Sequence, residues 1–237
     1  MTLRVLLNQD EINKERKKLL SKGVSLVDNT IRHFFRKVGL VRGMAIGDIS
    51  KSWDVSSTVE FLENHVKPNE PILDIGCYAS ELIVALYKLG YTNLSGADLN
   101  PLVRKMPYSG EIRYEVCDFM HTHFAGASFR AITSISVIEH GFDAPSLLQE
   151  LSRLLMPGGY FIASFDYWPE KIDTTGIRYY GMDWMIFSKN EVCEFIDKAA
   201  SYGLFPAGDM MFDGESRVIK CGGINYTFAW LVLQKRV

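Results

Sequence analysis

The sequence predicts an α/β fold, a doubly wound and mostly parallel sheet with helices on both faces. Three observations carry this. From residue 54 onward, short apolar runs alternate with segments of helical spacing, the pattern of strands joined by crossover helices. The first run places Ile72, Leu73 and Ile75 on both sides of the pleat, as a parallel strand covered on both faces requires. Gly76 then separates it from apolar residues at Leu82, Ile83, Leu86 and Leu89, which is helical spacing. Strand, glycine turn and helix open a nucleotide-binding sheet. The glycine lets the backbone turn sharply and a ligand come close.

The 237 residues suit one domain with a small appendage. With 47% apolar and 23% charged residues, the composition is that of a soluble globular chain. A net charge of -2 argues against a basic surface for nucleic acid. Four cysteines occur without a Cys-x-x-Cys pair, so neither a zinc knuckle nor a redox motif is expected. Free thiols in a reducing, cytoplasmic setting are the expectation. The first ten residues lack the apolar core of a signal peptide. No run approaches the roughly 20 apolar residues of a membrane span.

Residues 1–52 read as an N-terminal helical cap or lid, ahead of a domain at 53–237. Asp10 to Leu20 is a charged, solvated helix ending near Lys22-Gly23. Val24 to Val38 places Leu26, Val27, Ile31, Phe34, Phe35 and Val38 at helical intervals. Gly39 to Ser50, with three glycines, is a connector or a loop over a site. A helix follows at Asp54 to His65, with Asp54 or Ser56 as its N-cap. The next strands are expected at Asn93–Ala97, Ile112–Val116, Ala131–Ser136 and Tyr160–Phe165. A helix at Ser146–Leu155 is closed by Met156-Pro-Gly-Gly159. Another spans Lys189–Ser201, capped by Ser188, before final strands at Leu204–Met210 and Tyr226–Leu233.

Ligands of such sheets bind beyond the carboxyl ends of the strands. Those ends carry Asp74 and Gly76, Asp98, Asp118, Ser134 and Ser136 with Glu139 and His140, and Asp166. Asp98 lies 24 residues after Asp74, near the offset of the acid that takes ribose hydroxyls. The plainer reading is a cap for the turn at Asn100-Pro101. Asp118 is placed to accept from an adenine amino group, with Phe119 beside the ring, or it is a surface acid. The turn Gly76-Cys-Tyr-Ala-Ser80 lacks the second and third glycines that bring backbone against a pyrophosphate. That disfavours an NAD-binding dehydrogenase. S-adenosylmethionine carries no phosphate, and its sulfonium cation suits carboxylates.

Ile72-Leu-Asp-Ile-Gly-Cys77, Gly96-Ala-Asp-Leu-Asn-Pro101, Cys117-Asp-Phe119, Ser134-Ile-Ser-Val-Ile-Glu-His140 and Leu154-Leu-Met-Pro-Gly-Gly159 together resemble class I S-adenosylmethionine-dependent methyltransferases. The resemblance covers about residues 54 to 237. It implies a Rossmann-like, seven-stranded sheet with an antiparallel last strand. It implies that Asp74, Gly76 and the loop Cys77, Tyr78 and Ser80 lie beside the methionine part. Asp98 with Leu99 would hold ribose, Asp118 and Phe119 adenine, and the backbone of Ser134, Ile135 and Ser136 the amino-acid end. Tyr78 and Ser80 depart from the family, which commonly has glycines there. Ser136-Val-Ile-Glu-His-Gly141, Phe165-Asp-Tyr-Trp168 and Trp184-Met-Ile-Phe-Ser188 resemble the small-molecule branch of polysaccharide and natural-product pathways.

Methyl transfer is an in-line displacement that depends chiefly on alignment, and a hydroxyl acceptor also benefits from a base. His140 is the first candidate, because neutral imidazole takes a proton near pH 7; Glu139 and Asp166 follow. The plainer readings are a helix-start residue for His140 and a turn cap for Asp166. Asp166 to Phe187 carries Tyr167, Trp168, Tyr179, Tyr180, Trp184 and Phe187. Those rings either wall an acceptor pocket or pack a loop onto itself. Lys171, Arg178 and Lys189 read as surface charge. His121 and His123 lack further ligands for a metal, so none is expected. The expected partner is a small molecule, such as a sugar or nucleotide-sugar methylated on oxygen. N- or C-methylation of another metabolite, or cofactor binding without turnover, are the alternatives.

Overall fold

The computed structural model describes residues 2–27, 44–141 and 143–236. The helix expected from Val24 to Val38 and the start of the glycine connector lie almost wholly outside these residues. Five parallel strands form the middle of the sheet: β2 (Ile72–Ile75), β3 (Leu94–Asp98), β4 (Arg113–Val116), β5 (Phe129–Ile135) and β6 (Leu155–Tyr167). Their spatial order is β4-β3-β2-β5-β6, so the direction of winding reverses between β2 and β5. The long β11 (Ile224–Lys235) then runs antiparallel to β6, as expected for the last strand.

The outer edge of β11 is shared by three short antiparallel segments. These are β9 (Leu204–Pro206), β1 (Leu3–Val5) and β10 (Ile219–Cys221). The sheet therefore has seven positions but nine strands. Strand β1 corrects the purely helical reading of residues 1–52. Leu3 and Val5 are buried while Arg4 is half-buried, an alternation that suits an edge strand. A two-stranded ribbon, β7 (Arg178–Tyr179) with β8 (Met182–Asp183), was not expected either.

Helices α1 (Gln9–Ser21), α2 (Ser52–His65) and α3 (Leu82–Lys88) pack in one core with Ile72, Ile162, Trp230 and Val232. Helices α4 (Ala144–Leu154) and α5 (Lys189–Ala200) pack in the other, with Leu73, Ile132, Phe161 and Leu231. Helix α5 starts on the expected cap. Ser188 Oγ receives the Glu191 amide, and the Glu191 carboxylate receives the Ser188 amide. Met156 to Gly159 does not close α4 but belongs to β6, where the register with β5 shifts. A Cβ on Gly159 would stand 2.9 Å from Met156 O and 3.0 Å from Arg130 O, so only glycine fits there.

Helix α2 departs from an ordinary amphipathic helix. Ser52, Asp54, Ser56, Ser57 and Thr58 are all buried, so their polar atoms must find partners inside. Ser56 Oγ donates to Glu15 Oε2 at 2.7 Å, and Thr58 Oγ1 accepts from Trp230 Nε1 at 2.9 Å. Neither Asp54 nor Ser56 is the N-cap. The helix follows a 3-10 turn, Ile49–Lys51, whose cap is Asp48, and Lys51 stands at the α2 cap position without a side-chain capping bond.

Glu81 ties the N-terminal segment to the glycine turn. It is 2% exposed and accepts from Arg16 Nη1 at 3.1 Å, Ser25 Oγ at 2.8 Å and the Leu26 amide at 2.6 Å. The Gly47 amide donates to Ala79 O at 2.8 Å. Removing one partner of a buried ion pair leaves the other charge uncompensated. Glu81→Ala is therefore expected to lower the unfolding free energy by about 3 kcal/mol or more in urea titration; a loss under about 1 kcal/mol would show that the knot does not hold the segment.

Candidate active site

The turn after β2 bends at two left-handed residues, Gly76 (φ 65) and Ala79 (φ 61). A Cβ on Gly76 would lie 2.4 Å from Val137 Cγ2, so the position is closed to any side chain. Tyr78 and Ser80 are not among the left-handed residues. Replacing the family's glycines there costs the backbone nothing. Cys77 is buried beneath the turn; a Cβ on Gly96 would reach 2.6 Å from its Sγ. Burial pushes the Cys77 thiol well up, so its side chain is packing. Ser80 Oγ accepts from the Leu82 amide at 3.2 Å, just ahead of α3.

Asp98 ends β3 and faces this turn. Its Oδ2 accepts from the Tyr78 amide at 2.9 Å and its Oδ1 from the Asn100 amide at 2.7 Å. Each carboxylate oxygen has two acceptor positions, so each keeps one for a ligand. The turn cap and the diol acceptor are thus compatible in one side chain. Leu99, beside it, is 56% exposed. Asp118 Oδ1 accepts from the Met120 amide at 2.9 Å and Oδ2 lies 3.4 Å from His121 Nδ1; Phe119 is half-buried. Ser134 is buried, and its Oγ has no partner among the described residues. Ile135 is half-buried, and Ser136 is itself left-handed (φ 52), with its amide 3.0 Å from Ser164 O. The protein alone thus fits a phosphate-free nucleoside. It supplies spare carboxylate acceptors at Asp98, a buried unpartnered oxygen at Asp74 and a turn without cations.

A layer of buried acids continues from that turn under the ends of β5 and β6. Asp74 Oδ1 accepts from Thr133 Oγ1 at 2.7 Å. Asp54 Oδ2, from α2, accepts from Ser164 Oγ at 2.8 Å. Asp166 Oδ2 accepts from Trp184 Nε1 at 2.7 Å. Asp54 Oδ1, Asp74 Oδ2 and Glu139 Oε2 are buried with no partner among the described residues, and Asp166 has, besides Trp184, only the Tyr226 hydroxyl. Burial pushes Asp54 up to about 6 and Asp74 up to about 7. It also raises Glu139, helped by the nearby Asp166 charge, and it raises Asp166. The ammonium of Lys51 opposes the shifts of Asp54, Glu139 and Asp166. That ammonium donates to Ser136 Oγ and sits 3.7 Å above the Phe228 ring.

His140 is half-buried, with Nδ1 unpartnered among the described residues. Burial and then the Lys51 charge lower it to about 4, which keeps the imidazole neutral. The aromatic segment folds back against it. His140 and Trp184 form an antiparallel bridge, and the Met185 amide donates to Glu139 O at 2.9 Å. Tyr179 meets Trp184 at 5.3 Å between centroids, and Tyr180 meets His140 at 5.6 Å. Tyr167 and Trp168 turn away: Tyr167 donates to Phe212 O, and Trp168 lies under Arg217. So the segment packs itself down and still walls the site with Tyr179, Tyr180 and Trp184. Lys171 and Arg178 form exposed ion pairs with Glu191 and Asp183, and Lys189 lies over Phe212. His121 and His123 are exposed. No three His, Cys, Asp or Glu side chains are placed to share an ion among the described residues.

Two members of this arrangement are new relative to the sequence reading. Asp54 was expected as a helix cap and Lys51 was not singled out. The signal was the polar run Ser52-x-Asp54-x-Ser56-Ser57-Thr58, on a helix that had to face a core.

Residues 73–163 match the family described as a methyltransferase domain. The eEF1A lysine and N-terminal methyltransferase of Danio rerio is 27% identical over 143 residues, 54% of this chain and 20% of that protein. Phosphoethanolamine N-methyltransferase 1 of Arabidopsis thaliana is 30% identical over 117 residues, 46% of this chain and 24% of that protein. The chain thus spans a quarter or less of the length of these relatives. The fold is similar to geranyl diphosphate C-methyltransferase from Streptomyces coelicolor A3(2), solved with S-adenosyl-L-homocysteine. The TM-score is 0.55 at 19% identity, over 77% of this chain and 78% of that one.

The buried acids set a pH signature. Asp54 and Asp74 have folded pKa values above their ordinary 3.8. The folded state therefore binds more protons than the unfolded chain above about pH 4, and these groups lose stability as pH rises toward about 8. Asp54→Asn removes one such group. In scanning calorimetry its melting temperature should fall less between about pH 5 and about pH 8 than that of the parent. Parallel curves would mean that Asp54 ionises freely in the fold.

Proposed function

We propose that this chain, which carries a methyltransferase domain in the class I fold of S-adenosylmethionine-dependent enzymes, transfers a methyl group to a heteroatom of a small-molecule acceptor. When bound, the cofactor supplies an electrophilic methyl carbon on a sulfonium. The observation that carries the reading is the continuity of two half-sites. Asp98 keeps two acceptor positions beside the Gly76 turn, and Asp74 shares one sheet face with Thr133 and with Ser164, the partner of Asp54, near Glu139 and Asp166. A nucleoside held at the first would face an acceptor held at the second, and fixing that alignment is most of the work.

In this reading Asp98 binds ribose and the backbone of Ser134 to Ser136 lies along the amino-acid end. Asp118 and Phe119 border adenine. Cys77 and Ser80 shape the turn, and Tyr78 contributes its amide. An oxygen of a sugar or glycan-pathway intermediate, the acceptor suggested by the sequence, would stack on Tyr179 and Tyr180. Its hydroxyl proton would pass to neutral His140. A nitrogen acceptor is the second reading, favoured by the unpartnered oxygens of Asp54 and Glu139. The segment ahead of α2 acts as a cap, pinned to the turn by Glu81. No helix among the described residues is long and apolar enough to cross a membrane. The four free cysteines accord with a cytoplasmic setting.

Calorimetry with S-adenosylhomocysteine tests the cofactor half. Asp98→Asn should weaken binding by more than about tenfold, since two charge-assisted hydrogen bonds are weakened; unchanged affinity would sink the ribose assignment. His140→Ala should lower turnover with little change in cofactor affinity if imidazole takes the proton. Tight binding without transfer to any acceptor in a broad screen would point instead to a protein that only holds the cofactor.

A further inference from the structure

Resting on the methyl-transfer reading, we infer that the acceptor half-site is an ammonium site, built by Asp54, Glu139, Asp166, Trp184 and Phe228 for a primary or secondary amine. The first ground is charge. Three carboxylates, each at most 4% exposed, share the field of a single ammonium among the described residues, that of Lys51. Buried charges persist only when paired or hydrogen-bonded. Yet Asp54 Oδ1 and Glu139 Oε2 have no partner among the described residues, and Asp166 has, besides Trp184, only the Tyr226 hydroxyl. The deficit is of N–H donors, and a protonated amine brings them together with the charge that would hold these acids ionised.

The second ground is independent of the acids, because it concerns what already sits there. The Lys51 ammonium lies 3.7 Å above the Phe228 ring and donates to Ser136 Oγ. An ammonium over an aromatic face is attracted by the ring quadrupole, more so when desolvated. The neighbouring rings extend the same surface: Trp184 meets Tyr226 at 5.6 Å and Tyr179 at 5.3 Å. The chain's own lysine thus displays the chemistry that the site accepts. A sugar hydroxyl would bring no charge and leave the three acids sharing one cation.

The third ground is the proton. An ammonium has no lone pair, so it must lose one proton before it can react. The pair Glu139 and Asp166 takes it, because burial beside a like charge favours one shared proton. The neutral amine's lone pair then forms the N–C bond to the methyl carbon. The C–S bond breaks, its electrons stay on sulfur, and the product leaves as a methylated ammonium. His140, drawn down by burial and by Lys51, is not needed as the base for this acceptor.

The test uses the full chain saturated with S-adenosylhomocysteine, with phenethylamine and phenethyl alcohol as probes in titration calorimetry. Phenethylamine is expected to bind at least about tenfold tighter than the alcohol, the ratio that one additional desolvated charge contact supports. Asp166→Asn and Glu139→Gln should each cut phenethylamine affinity at least about fivefold more than they cut S-adenosylhomocysteine affinity. Equal affinities, a preference for the alcohol, or no binding of either probe to the saturated protein overturns the inference. So does a preference that survives both substitutions. Failure of S-adenosylhomocysteine itself to bind would overturn the methyl-transfer reading instead, and that is read in the first titration, before either probe is added. The parent's own preference is measured whether or not a variant folds.

Discussion

The constraint on which the rest of this structure depends is the burial of carboxylates at the carboxyl ends of a parallel sheet. Moving an ionised acid out of water is expensive unless partners replace the lost solvent. Here Asp74, Asp54 and Asp166 each secure one donor, from Thr133, Ser164 and Trp184. Those donors fix which residues must stand on the facing elements. Thr133 lies in register with Asp74 across β2 and β5, and Ser164 in register with Ile135 across β5 and β6. The hydroxyls and the acids therefore share one face, the face that α2 covers. A helix with an apolar stripe there would strand the layer, so α2 carries Asp54, Ser57 and Thr58 instead.

The same constraint explains why the N-terminal segment is part of the fold and not an accessory to it. Strand β1 occupies the middle of the outer edge of β11, between the stretches taken by β9 and β10. Helix α1 lends Arg16 to Glu81 and Glu15 to Ser56. Both contacts converge on the start of α2 and on the helix after the Gly76 turn. The 3-10 turn ahead of α2 then delivers Lys51 to the acids. One short path of chain therefore sets both the position of the Gly76 turn and the charge beside the buried acids. Their geometry is coupled through packing, with no moving part required.

Much of the fold was legible because it rests on period and punctuation. The five parallel strands, the helices after Gly76 and Ser188 and the long antiparallel β11 follow from apolar spacing, caps and breakers. The acid beside the Gly76 turn was legible for a related reason: it sits at a fixed offset at a strand end, so Asp98 could be placed by counting from Asp74. What was not legible depends on neighbours distant in sequence. Three residues of β1 are too few for a periodic signal, and their pairing with β11 spans the whole chain. Met156 to Gly159 has the composition of a helix stop, but β5 alongside drew it into the sheet. Asp54 was read locally, as a cap, because its partner Ser164 lies 110 positions away.

That difference bears on how an acceptor is chosen on this scaffold. The Gly76 turn and its acid come from one contiguous run, 74 to 100, whose shape is dictated by Gly76, Gly96 and the backbone amides that Asp98 gathers. The acceptor half draws single side chains from five places: Lys51, Asp54, Glu139, Asp166 and Trp184. Tyr78 marks the boundary. Its amide belongs to the turn through Asp98, and its side chain is freed from any glycine requirement. On a scaffold divided in this way the fold fixes the turn and leaves the second group to single side chains, which is why the chemistry of those side chains, and not the fold, carries the argument about substrate.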